Sequence, residues 1–170
     1  MTWPGAVLSV IIKTSGEKDG VISMIDWKVS DALAADYDVL FKDGEVTLSS
    51  ARAASNAVGK VVGRGSVLSS RGKRLKFSAE IKTVDADSAG LWLTGSAENW
   101  HVTDGMYDRL IKGSTGWSLE NLVIDVPEDT RYVSFGLWMI GNGSCTMRNP
   151  KIEIVDQSVP VTGREYRQAG

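Results

Sequence analysis

Residues 122–143 constrain this chain more than any other stretch. Two apolar, β-branched runs, 122–126 and 132–140, flank a Pro127-Glu-Asp-Thr130 turn, and Gly141-Asn-Gly143 follows at once. Proline presets the backbone for a turn, and Asn-Gly between apolar runs is a strong hairpin signal because both residues tolerate positive φ. The same signal stands at Asp43-Gly44, between strands expected at 37–42 and 45–49. Residues 74–82 alternate strictly, with Leu75, Phe77, Ala79 and Ile81 on one side and Lys76, Ser78, Glu80 and Lys82 on the other.

Further strands are expected at 6–13, 21–29, within 59–70, and at 89–94, 118–126, 131–140 and 144–155, the last broken at Pro150. Residues 95–116 read as a long polar loop. One short helical turn is expected at 31–36, behind an N-cap Asp31, and 51–57 reads as either a short helix or a loop. So many strands, with eighteen glycines and few helix signals, predict an all-β, antiparallel β-sandwich or barrel. A length of 170 residues suits one domain, 1–170, with no internal repeat.

Charge and motifs narrow the function classes. A net charge of −2 gives no electrostatic reason to expect nucleic acid or anionic lipid. The basic residues between Arg64 and Lys76 read as a solvated loop leading into a strand. No apolar run is long enough to span a bilayer, and the apolar stretch 6–12 lacks a basic residue before it. With one cysteine, Cys145, there is no internal disulfide, so a cytoplasmic protein is the expectation. Neither Gly-x-Ser-x-Gly nor a phosphate-binding glycine loop occurs, so no cofactor is expected. His101 is the only histidine, which excludes a multi-histidine metal site.

A few residues could still carry chemistry. His101 could pair with Asp104 as a general base, or be an exposed histidine. Cys145 reads as a buried, inert thiol. Trp92 and Trp138 lie opposite the apolar set of their strands, on the far face from Leu91, Leu93, Val133, Phe135 and Leu137. Such tryptophans either fill a second packing layer or form an aromatic surface that stacks on sugars and flat apolar ligands.

From Gly72 onward the chain resembles a bacterial family of jelly-roll domains. They are similar to carbohydrate-binding-module or galactose-binding-like sandwiches, and often occur within transcriptional regulators. The blocks that carry the resemblance include Gly72-Lys-Arg-Leu-Lys-Phe-Ser-Ala-Glu-Ile-Lys82, Ala89-Gly-Leu-Trp-Leu93, Asp108-Arg-Leu-Ile-Lys-Gly-Ser-Thr-Gly-Trp117 and Leu122-Val-Ile-Asp-Val-Pro-Glu-Asp129. The N-terminal 70 residues match poorly, and 157–170 form a tail. Three positions depart from the family pattern. Thr94 stands where an Arg is usual, Asp104-Gly105 where Asp-Asn is usual, and Arg148-Asn149 where related sandwiches carry acids that help hold Ca²⁺. Ca²⁺ requires several oxygen ligands with carboxylate charge, so no metal is expected.

The resemblance implies a module that binds a small-molecule or carbohydrate-like ligand on a concave sheet. Trp92, Trp138, Glu80, Thr94, Met106 and Trp100 are the expected ligand-binding residues. The loop 99–109 is expected to bring His101, Asp104 and Met106 towards the same place. An alternative is a cofactor-free cyclase or isomerase with an aromatic-lined cavity and one carboxylic acid, for which Asp104, His101 and Glu80 are the catalytic candidates. A third reading is the sensor domain of a regulator.

Overall fold

The computed structural model describes residues 11–13, 27–29, 36–51, 58–65 and 70–167. They form β1 (Ile11–Lys13), β2 (Trp27–Val29), β3 (Tyr37–Lys42), β4 (Glu45–Ser50), β5 (Val58–Gly65), β6 (Arg74–Ser96), β7 (Trp100–Asp104), β8 (Ile111–Asp125), β9 (Tyr132–Ile140), β10 (Ser144–Val155) and β11 (Arg164–Arg167). No helix occurs among the described residues. The helical turn expected at 31–36 and the segment 51–57 fall almost wholly outside them.

The architecture turns on β6. Where the sequence suggested two strands, the structure has one of 23 residues. Its first half lies between β8 and β10, and its second half between β9 and β7. Between the halves Asp85 takes a φ of 49°, and the pairing with β8 slips three times. Bulges bend a strand and increase its twist, and this bend lets β6 serve two sheets. One runs β3-β4-β10-β6-β8 and the other β2-β5-β9-β6-β7-β11, with β1 added in parallel to β10.

The core fills the space between these layers. Leu75, Phe77, Ala79 and Ile81 from the first half of β6, and Leu91 and Leu93 from the second, are buried with Val133, Phe135, Leu137 and Met139 of β9. Phe77 and Phe135 meet across the layers with ring centroids 5.1 Å apart. The alternation at 74–82 therefore points its apolar residues where the sequence placed them. The chain is an antiparallel β-sandwich.

Two stretches differ from the sequence reading. Residues 95–116 hold β7 and the start of β8 instead of a loop. Their polar character comes from open outer faces, and Thr94 and Thr103 join hydroxyls across β6 and β7 at 2.6 Å. The tail holds β11, docked by two anchors. The Arg74 guanidinium donates to the Asp125 carboxylate and to the Gln157 and Val159 carbonyls. Thr162 exchanges hydrogen bonds with the backbone of Val123. Nor does Pro150 end β10; the strand passes through a register shift between Arg148 and Lys151, with Asn149 at a φ of 50°.

Candidate functional site

Two copies of one tripeptide build the centre of the site. Gly90-Leu-Trp92 in β6 and Gly136-Leu-Trp138 in β9 run antiparallel, with Leu91 opposite Leu137. Both leucines point into the core, so both tryptophans emerge on the outer face of the second sheet. Each tryptophan then stands opposite a glycine: Trp92 beside Gly136, and Trp138 beside Gly90. A Cβ on Gly136 would lie 1.9 Å from the Val61 carbonyl oxygen and 3.1 Å from Trp92 Nε1, and one on Gly90 would lie 3.1 Å from Trp138 Nε1. The glycines leave the room in which the indoles lie over the neighbouring strand.

The two rings differ in how they are held. Trp138 is 3% exposed, and its Nε1–H donates to the carbonyls of Leu91 at 3.2 Å and Gly105 at 3.0 Å. The Tyr107 ring tilts over it, with centroids 5.6 Å apart. Trp92 is half-buried, and among the described residues its Nε1–H is enclosed without an acceptor. The Lys60 ammonium lies 5.3 Å from the Trp92 ring centroid.

Strand register extends this face into rows. Lys60 is beside Trp138; Val62, Gly136 and Trp92 follow; then Ser134, Thr94 and Thr103; then Tyr132, Ser96 and His101. With Tyr107, the side chains of these rows line an open cleft of about 450 Å³. His101 closes one end, stacked on Tyr166 of β11 with ring centroids 5.3 Å apart. The described lining is aromatic rings and hydroxyl groups, with one aliphatic side chain, Val62, one ammonium, one imidazole and no carboxylate.

The other sequence candidates lie elsewhere. Asp104 is 5% exposed and fully engaged: Oδ1 accepts the Met106 backbone N–H at 2.9 Å, and Oδ2 accepts Arg109 at 2.6 Å and the Thr162 hydroxyl. It ties the turn after β7 to the tail, and it faces a smaller hollow beside the cleft instead of pairing with His101. Met106 is 1% exposed, part of the core, with its sulfur accepting the Leu91 N–H at 3.3 Å. Strand alternation puts Trp100 opposite His101, and its Nε1–H donates to Asp129 at 3.2 Å. Glu80 sits on the outer face of the first sheet, because β6 bends between Glu80 and Trp92. There Arg148 and Asn149 hydrogen-bond its carboxylate and hold it below the usual carboxylate range. The Arg148 guanidinium in turn lies 3.9 Å from the Trp117 ring centroid. So of the expected ligand residues, the structure brings together Trp92, Trp138 and Thr94 and leaves out Glu80, Met106 and Trp100; of the catalytic candidates, His101 joins the cleft and Asp104 and Glu80 do not. Burial pushes the Cys145 thiol up, away from reactivity.

No family model matches the chain. The fold, however, is shared with carbohydrate-binding modules. A CBM4 domain superposes with a TM-score of 0.52 at 12% identity, covering 76% of this chain and 87% of that one. The CBM22-1 xylan-binding domain from Paenibacillus barcinonensis gives 0.53 at 11%, covering 78% and 87%. The C-terminal family 22 carbohydrate-binding module of a Clostridium thermocellum protein gives 0.54 at 11%, covering 78% and 88%. In sequence, the chain is 39% identical over 97 residues to the uncharacterised HTH-type transcriptional regulator YbfP of Bacillus subtilis, a match covering 55% of this chain. It spans about a third of that regulator's length.

Sequence reasoning missed Lys60, Val62, Ser96, Thr103, Tyr107, Tyr132 and Ser134. Ser134 was within reach, since it alternates with Gly136 on a strand already recognised, whereas Ser96 and Thr103 fell in the stretch read as a loop. Lys60 and Val62 were not within reach, because they join the face through the β5–β9 pairing, which no local signal announces.

Proposed function

We propose that this chain is a binding module that holds a saccharide, or a ligand of similar shape, across the outer face of β5, β9, β6 and β7. The observation that carries the reading is the pair of tryptophans on one open cleft whose other described lining is mainly hydroxyl-bearing side chains. Sugar rings present C–H faces that stack on indoles and a rim of hydroxyls that need small polar partners, and this cleft offers both. The fold neighbours include a xylan-binding domain, and a further family 22 module is described as using a cleft in ligand binding. The test is affinity electrophoresis against soluble neutral and acidic polysaccharides, for the wild type and Trp92→Ala. Retardation of the wild type that is lost in Trp92→Ala, with an unchanged melting temperature, supports the module; equal migration on every polysaccharide overturns it.

The partial match to a transcriptional regulator favours a second reading, in which the same cleft senses its ligand on behalf of an attached DNA-binding element. Ligand-induced hydrogen-exchange protection extending beyond the cleft, into β3 and β4, would distinguish a sensor from a simple binder. A cyclase or isomerase has less support: the described cleft is open and presents no carboxylate, and Asp104 is committed to Met106, Arg109 and Thr162.

A further inference from the structure

From the charge of the cleft we infer that its ligand is an acidic saccharide, one whose ring carries a carboxylate or a sulfate ester, with Lys60 as the residue that selects it. This inference rests on the saccharide reading above and refines it.

The argument begins with what covers Trp92. Lys60 projects from β5 beside Trp138, and its ammonium sits over the Trp92 ring, 5.3 Å from the centroid. Among the described residues no carboxylate lies within ion-pair distance of it, whereas Lys76 and Lys151 on the first sheet share Glu153. Lys60 is thus a cation held on the face of the cleft by an aromatic quadrupole.

A sugar ring that stacks on Trp92 must displace that ammonium. A neutral sugar would remove the cation–π contact, desolvate the ammonium and return no opposite charge, which is unfavourable. An acidic sugar gives the displaced ammonium a charge-assisted partner while its ring takes the indole. The lining makes the same selection at longer range. Among the described lining residues Lys60 and His101 are the basic ones and none is acidic, while the acids of the adjoining hollow, Asp104 and Asp108, are both bound by Arg109. Thr94, Ser96, Thr103 and Ser134 supply donors for an anionic oxygen as readily as for a hydroxyl.

The experiment is isothermal titration of the full chain with tetragalacturonate, a chondroitin sulfate tetrasaccharide, and the neutral cellohexaose and xylohexaose, at low and high salt. Lys60→Gln and Lys60→Arg are measured beside the wild type. The inference expects at least one acidic probe to bind about tenfold more tightly than either neutral one, as a charge-assisted contact requires. The acidic probe that prevails tells carboxylate from sulfate. Lys60→Gln should abolish the preference with the melting temperature unchanged, Lys60→Arg should keep it, and salt should weaken it. Neutral probes binding as tightly as acidic ones, or a preference that survives Lys60→Gln, would overturn the inference and leave the saccharide reading standing. Failure of all four probes would overturn both.

Discussion

Trp138 and Trp92 look equivalent in sequence, yet the structure assigns them opposite costs on replacement by phenylalanine. Trp138→Phe removes an indole N–H that donates to two buried carbonyls, those of Leu91 and Gly105. Leaving a buried acceptor unpaired costs about 1–3 kcal/mol. For a domain of this size that lowers the melting temperature by about 3–10 °C. Trp138→Ala adds the loss of a 3%-exposed ring and should cost about 3–5 kcal/mol. Trp92→Phe removes an enclosed N–H with no acceptor among the described residues, a group that already costs the fold about 1–3 kcal/mol. That gain offsets the smaller ring, so the net change should stay within about 1 kcal/mol. Thermal unfolding followed by far-UV circular dichroism reads both variants without relying on tryptophan emission. Equal destabilisation by the two substitutions, or a larger one from Trp92→Phe, would refute the separation of an anchored ring from a presented one.

Three further outcomes follow from other contacts. Since Arg148 and then Asn149 hold the folded-state Glu80 carboxyl below its ordinary value of 4.5, that contribution is complete above this value and disappears as pH falls below it. The melting temperature should therefore fall more steeply between about pH 5 and 3 in the wild type than in Glu80→Gln, and parallel curves would contradict this. Gly136→Ala should destabilise markedly, because its Cβ would meet the Val61 carbonyl at 1.9 Å, whereas Gly90→Ala meets side-chain atoms at 3.1 Å and should be milder; chemical denaturation ranks them. Asp104→Asn should lower stability by about 1–3 kcal/mol through its bonds to Arg109 and Thr162 while changing ligand affinity less than tenfold, with titration and melting as paired readouts.

Much of the fold was legible because its information is local. The Asp43-Gly44 turn takes φ of 53° and 77°, as a two-residue hairpin demands, and the alternation at 74–82 fixes which side of β6 is buried. What misled was also local: residues 83–88, with Asp85, Asp87 and Ser88 among them, fell between two expected strands. They are a bend within one strand, where the pairing with β8 slips register and Asp85 takes a φ of 49°. That bend is why Glu80 and Trp92, which share a parity, end on different faces of the molecule. The site was half legible. Trp92, Trp138 and Thr94 follow from alternation, but Asp104 and Met106 could not be placed without the turn that Met106 makes at a φ of 58°. The shared Gly-Leu-Trp tripeptide was visible all along; its meaning needed the register that sets each glycine beside the other strand's tryptophan.

The central claim is that ligands meet the Trp92 face and not the Glu80–Arg148 face, and the six tryptophans of the chain allow a direct test. Indole Nε1–H resonances, assigned by single substitution, can be followed while tetragalacturonate and xylohexaose are titrated in. The account predicts shifts at Trp92 and Trp138, on the cleft, with Trp117 beside Arg148 unmoved. Shifts at Trp117 with Trp92 and Trp138 silent would place the binding surface on the other sheet and contradict it.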